Sequence, residues 1–209
     1  MKKFIILAAA LLVSWQAQAQ FVLGGGFMHT LEKVTSTFSD GSYSHKGAMN
    51  GIYVGGNYYY NLDQVADGLA FLPGVNFSML LGRHWEFSDV RVSELALNLP
   101  LQLGYTYPIS DNVKIFGQTG PTLQIALSHK AKDNQGTTYS LLRKDNKFGE
   151  SRGRFNIYWG LDAGVEINEQ YRIDLGWDLG LVNLNRKRED NTITRISRSY
   201  LHVGVAYLF

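Results

Sequence analysis

The chain has 209 residues, with 20 Lys+Arg against 18 Asp+Glu and no cysteine. The absence of cysteine excludes a disulfide framework and a thiolate metal site. The near balance of charge offers no global basic surface, so nucleic acid is not expected as a partner.

The first residues read as an export signal. Met1-Lys2-Lys3 is basic, residues 4–13 are apolar, and Ala17-Gln18-Ala19 forms a small-x-small cleavage site. The apolar run falls short of the ~20 residues a spanning helix needs. The expected division is a signal peptide at 1–19 and one domain at 20–209. Two of the 20 basic groups, Lys2 and Lys3, lie in the first part, so the second is formally neutral. Without disulfides, an exported domain of this size must be held by its core, by partners or by a membrane. No later stretch has the roughly 18 continuous apolar residues of a membrane helix. A period-two pattern, however, crosses a bilayer as a barrel.

That period runs through the chain. Residues 20–30 place Phe21, Leu23 and Phe27 on one face, and residues 49–60 do so with Ile52, Val54, Tyr58 and Tyr60. Residues 69–81 carry Phe71, Val75, Phe77 and Met79. In residues 93–107 one parity reads Leu95, Leu97, Leu99, Leu101, Leu103, Tyr105, Tyr107, and the other reads Ala96, Asn98, Pro100, Gln102, Gly104, Thr106. Successive side chains on a strand face opposite ways, so one face is apolar and the other small or polar. Residues 113–127, 153–168, 171–181 and 196–209 repeat the alternation. Strands of ten or more residues suit a tilted crossing of a bilayer, and terminal Tyr and Trp suit its interface.

Connections alternate in length. Residues 31–48, 83–92, 131–152 and 183–195 are long; 61–68, 108–112 and 168–170 are short. The expected fold is all-β: a closed antiparallel transmembrane β-barrel of about eight strands, its termini at the end of the short turns. Pro73, Pro100 and Pro121 fall inside strands, where proline cannot donate to a ladder, and a β-bulge is expected at each.

The last strand carries Leu201, Val203, Val205, Tyr207 and Phe209 on one parity. This resembles the C-terminal signal of outer-membrane barrels, which implies delivery to the barrel-assembly machinery and a place in the Gram-negative outer membrane. Four interior segments are similar to the PorT-like outer-membrane β-barrel domain family. They are Leu97-Asn98-Leu99-Pro100-Leu101-Gln102-Leu103-Gly104-Tyr105, Gly117-Gln118-Thr119-Gly120-Pro121-Thr122-Leu123, Gly160-Leu161-Asp162-Ala163-Gly164-Val165-Glu166 and Trp177-Asp178-Leu179-Gly180-Leu181-Val182-Asn183. The family often has an acid where Asn98 stands and Lys where Gly104 stands. The resemblance implies the fold and the membrane, and its named member serves protein secretion.

Two sets of residues stand out as candidate sites. Asp162, Glu166, Arg172, Asp174, Asp178, Arg198 and His202 share the inward parity of the last three strands. An eight-stranded barrel is filled by side chains, so these are expected to pair as a network plugging the lumen. The second set is basic: Lys132, Arg143, Lys144, Lys147 and Arg152 in one long connection, and Arg186, Lys187 and Arg188 in the next. These are expected at the surface, where they suit lipopolysaccharide phosphates or a protein partner. His29, His45, His84 and His129 are expected in or near loops, without metal spacing. Ser197 and Ser199 lie on the parity opposite His202, and no G-x-S-x-G occurs. No catalytic residue, metal or cofactor is expected. The functional expectation is a plugged barrel acting through its surface loops, with small-solute transport as the alternative.

Overall fold

The structure is a computed structural model that describes residues 19–38, 40–84, 89–143, 152–185 and 193–209. Its strands are β1 (Ala19–Phe38), β2 (Gly41–Asn61), β3 (Leu69–Arg83), β4 (Arg91–Ser110), β5 (Val113–Lys132), β6 (Thr138–Ser140), β7 (Phe155–Ile167), β8 (Tyr171–Gly180) and β9 (Ile193–Leu208). All pairings are antiparallel. The sheet order β4-β3-β2-β1-β9-β8-β7-β5 closes on itself through β4–β5. Eight strands therefore form a ring with no free edge, and the three-residue β6 hangs from the end of β5. The expected signal peptide lies outside the described residues, apart from Ala19 at the start of β1.

The alternation in sequence becomes an inside-out wall. Leu101 is 42% exposed, Leu103 51% and Tyr105 50%. Between them Gln102 is only 6% exposed. The same alternation sends Leu161, Ile173, Leu175, Trp177, Leu201, Val203 and Val205 outward. An apolar outer face on a closed ring of strands is what a bilayer requires, because the backbone groups pair within the wall rather than with water, save at the gaps beside three prolines.

One end of the ring, the turn end, carries the short connections at 62–68, 111–112 and 168–170 together with Ala19 and Phe209. Asn168 and Glu169 both have positive φ (53° and 58°), as the two central residues of a type I′ turn need, and the Gln170 N–H closes that turn on the Ile167 carbonyl. Aromatic side chains gather at this end. The Tyr171 and Tyr207 rings lie 5.4 Å apart, and Tyr207 and Phe209 lie 4.8 Å apart. The Phe209 N–H donates to the Phe21 carbonyl, which ties the last residue to the first strand.

The other end, the loop end, differs from expectation in its first connection. Residues 31–48 were expected as a long loop. Instead β1 and β2 stay in register out to Phe38 and Gly41, well past the end of β3, and β9 accompanies β1 as far as Thr37.

The prolines also differ from expectation. None of Pro73, Pro100 and Pro121 sits at a register shift: the shifts in the ring fall at Leu95/Ala96 and, beside the turn, at Pro108/Ser110. Each proline instead keeps one neighbour and loses the other. Pro73 pairs with Leu101 on β4, but Tyr58 and Tyr59 of β2 have no ladder partner opposite Pro73 and Leu72. Pro100 pairs with Thr122 and is unpaired toward β3; Pro121 pairs with Trp159 and is unpaired toward β4. A missing N–H costs only the bond on the side where it would point, so a gap in the ladder suffices and no residue need be inserted.

Arg at the bilayer midplane costs roughly 2–4 kcal/mol on the lipid face of a barrel, and about 0–1 kcal/mol near an interface. Leu101→Arg is therefore expected to destabilise the folded barrel well beyond Tyr107→Arg. Urea titration of the folded, faster-migrating gel band measures the difference. Equal costs would misplace the membrane belt on β4.

Candidate functional site

The inward faces of the strands fill the lumen in layers. At the turn end, Arg172 donates to Glu166 through Nη2 at 2.6 Å, and its guanidinium lies 4.7 Å from the Tyr59 ring and 4.6 Å from the Phe116 ring. Lys114 reaches Glu166 at 3.7 Å and Glu169 at 2.8 Å. In the exposed turn, the hydrogen bond from Lys114 holds the Glu169 carboxyl below the usual carboxylate range.

The middle layer holds Asp162, Asp174 and Asp178 around His202. The distances are 2.9 Å from His202 Nε2 to Asp162, 3.8 Å from Nε2 to Asp174, and 3.6 Å from Nδ1 to Asp178. Gln102 donates to the other oxygen of Asp162. Glycine makes this layer possible: a Cβ on Gly176 would collide with Asp162 and the His202 ring, and one on Gly204 with the Tyr53 hydroxyl. A cavity of about 110 Å³ adjoins the layer, lined also by Asn57, Asn76 and Gln118.

Above it is an uncharged layer. Tyr158 donates to Gln124 at 3.0 Å, Gln124 to Asn98 at 3.0 Å, and Asn98 to Ser78 at 3.0 Å. The Tyr158 and Tyr200 rings meet edge to face at 4.8 Å.

At the loop end lies a cluster of buried charges. Arg198 contacts Glu94 at 2.7 Å and Glu32 at 2.9 Å. Arg152 contacts Glu32 at 2.6 Å, and His129 contacts Glu94 at 2.9 Å. Two guanidinium groups thus meet two carboxylates, and the imidazole takes up a remaining acceptor. Buried charge is tolerated in this form, paired and hydrogen-bonded. Met28, Met49, Leu80, Val92, Ala131 and Leu141 pack around it as an apolar lining.

The residues expected to form one network fall into three groups. Asp162, Asp174, Asp178 and His202 are together; Glu166 and Arg172 are together nearer the turn end; Arg198 stands apart from both and pairs with Glu32 and Glu94. Arg152 is a correction. It was expected on a surface loop, yet it is 4% exposed and bound to Glu32, because its backbone is bridged to Leu141 and Asn185 at the loop end, which turns its side chain into the lumen. His129 is a second correction, 2% exposed in β5 rather than near a loop. Lys132 and Arg143 are exposed, while Lys144, Lys147, Arg186, Lys187 and Arg188 lie outside the described residues. Leu201, Val203 and Val205 face outward along β9 toward Tyr207 and Phe209.

Sequence reasoning missed Glu32, Glu94 and His129. Glu94 was legible, since it shares the inward parity of Ala96 and Asn98. Glu32 required β1 to continue past Thr30. His129 required a bulge: Leu95 pairs with Ser128 but Ala96 with Ala126, so Leu127 is the extra residue and the parity of β5 inverts beyond it.

A closed eight-stranded ring, an apolar outer wall and a polar lumen are now in place. A family model described as outer membrane protein beta-barrel domain matches residues 5–209. The chain belongs to that family. Its outer wall accordingly faces the lipid of an outer membrane. No curated protein matches the chain in sequence. Among solved structures it is similar to Neisserial surface protein A (14% identity, 90% of this chain and 97% of that chain, TM-score 0.48). It is similar also to Ail of Yersinia pestis, solved in complex with the heparin analogue sucrose octasulfate (12% identity, 92% and 99%, TM-score 0.44). The outer membrane enzyme PagL is a further similar structure (9% identity, 84% and 97%, TM-score 0.38).

Removing one member of a buried charge cluster leaves the others uncompensated, at a cost of about 3–5 kcal/mol. Arg198→Met strands Glu32 and Glu94 and is expected to destabilise this barrel by that order. Pairing it with Glu94→Gln should recover part of the loss. A double-mutant cycle in urea, read by loss of the folded gel band, measures the coupling; additive losses would show that the contacts do not matter.

Proposed function

We propose that this barrel is a non-enzymatic, plugged outer-membrane protein that works through the surface at its loop end, contacting lipopolysaccharide or a protein partner there. In this reading residues 1–19 are an export signal, and Leu201, Val203, Val205, Tyr207 and Phe209 direct the barrel to its assembly machinery. The loop end faces the cell exterior. The resemblance to the PorT-like family makes a component of protein secretion one such partner.

The observation that carries the reading is the Glu32–Glu94–Arg152–Arg198–His129 cluster, which occupies the lumen just beneath the loops. An ion moving through would have to displace paired charges. The chemistry left for function is that of the loops, whose basic members are Arg143, Lys144, Lys147, Arg186, Lys187 and Arg188. The 110 Å³ cavity beside His202 favours a second reading, a small-solute path.

Planar-bilayer recording separates the two. The plugged barrel is expected to give no steady conductance, and a reproducible porin-sized step would favour transport. Neutralising Arg143, Lys144 and Lys147 to Gln is expected to spare the folded gel mobility while weakening capture of partner or lipopolysaccharide from native outer membrane. Unchanged capture would remove this loop from the contact.

A further inference from the structure

The outward face of the wall carries an arrangement of charge that the lumen and loops do not explain. Arg83 on β3 pairs in register with Arg91 on β4, and Arg91 pairs with Lys132 on β5. Lys130 stands one outward position nearer the membrane, opposite Ser93. All four side chains are exposed, and none has an ion-pair partner among the described residues. Like charges directly opposite on neighbouring strands repel, so an uncompensated row of three is unfavourable unless an anion bridges it.

Register also fixes where the row sits. Leu81 and Met79 lie below Arg83 on the same face of β3, and Leu95 lies below Arg91 on β4. The Leu127 bulge turns Lys130 and Lys132 to this outer face while sending His129 and Ala131 inward. The cations thus form a step at the upper margin of the lipid-facing belt. Arg83, Arg91 and Lys132 also line a recess of about 510 Å³, together with Asp89, Asp133, Asn134 and Gly136. Asp133 Oδ1 accepts from the backbone N–H groups of Gln135 and Thr137, which fixes that side chain within its own turn. The adjoining wall repeats the motif: Lys33 and Lys46 are exposed and face each other across β1 and β2 at the same end. Among the described residues the turn end has nothing like it. Lys114 there is engaged by Glu166 and Glu169, and the wall is aromatic.

We propose that Arg83, Arg91, Lys130 and Lys132 form a binding site for the phosphate groups of the glycolipid in the outer leaflet. The inference rests on the outward orientation of the loop end given above. A phosphate at the margin of the acyl region is presented to strand-borne cations beside the belt, whereas loop cations reach further into solvent. Two Arg side chains supply planar, bidentate donors, and two Lys side chains add point charge. The acyl chains of the same molecule lie along Leu81, Met79 and Leu95, so one ligand satisfies both the charges and the apolar surface beneath them.

The test uses the folded, delipidated full chain in zwitterionic detergent, with bisphosphorylated lipid A as probe and bound lipid read by native mass spectrometry. Wild type is expected to bind it at least tenfold more tightly than Arg83→Gln/Arg91→Gln/Lys132→Gln, and to bind dephosphorylated lipid A no better than that variant does. Equal binding by the variant overturns the site. Equal binding of phosphatidylglycerol and lipid A overturns the glycolipid assignment, and so does displacement of lipid A by millimolar inorganic phosphate. If the triple variant loses its folded gel mobility, Arg91→Gln alone, at the centre of the row, is expected to weaken binding at least threefold; no change overturns the proposal. Orientation is read separately, by protease access to residues 133–151 on whole cells. Protected loops with intact lipid A binding would contradict the orientation alone, and accessible loops without lipid A binding would contradict this site alone.

Discussion

Charge placed inside a narrow barrel has nowhere to go. An eight-stranded ring is wide enough only for its own inward side chains, so any ionised group must meet a partner contributed by another strand. Here Glu32, Glu94, Arg152 and Arg198 come from β1, β4, the segment before β7, and β9, and they converge within 2.9 Å contacts. The pairing therefore ties opposite walls together. It also holds Arg152, at the start of the segment before β7, against Glu32.

The Leu127 bulge matters on both faces of the wall. One added residue inverts the parity of β5 at the loop end, placing His129 against Glu94 inside and Lys130 and Lys132 outside. Without it the imidazole would face lipid and two lysines would enter the lumen. A bulge that re-aims side chains in this way is a designed feature of a strand rather than a defect. The glycines serve a complementary need in the middle layer, where Gly176 and Gly204 leave room for Asp162, His202 and Tyr53.

Much of this was legible in the sequence because period two is a direct image of the wall. The alternation from Leu95 to Tyr107 fixed which side chains meet lipid, and the inward parity of Asp162, Glu166, Arg172, Asp174, Asp178, Arg198 and His202 followed from it. Partners were not legible, since alternation gives a face but not the height at which strands from distant parts of the chain meet. Arg198 illustrates this: it shares β9 with His202 yet pairs with Glu32, 166 residues away in sequence. Arg152 was misread because a basic residue between two strands looks like any loop cation until the chain is seen to fold back. The prolines were misread because the ladder has a simpler remedy than a bulge, the loss of one bond on one side.

The central claim is that paired charge seals the lumen at the loop end. The chain has no native cysteine, so single reporter thiols can test it directly. Asn76→Cys places a thiol on the cavity below the cluster, and Asn134→Cys places one in the exposed connection above it. A charged, membrane-impermeant thiol reagent added from the loop side of reconstituted barrels is expected to label Asn134→Cys promptly and to leave Asn76→Cys unreacted. Prompt labelling of Asn76→Cys from that side would contradict the seal.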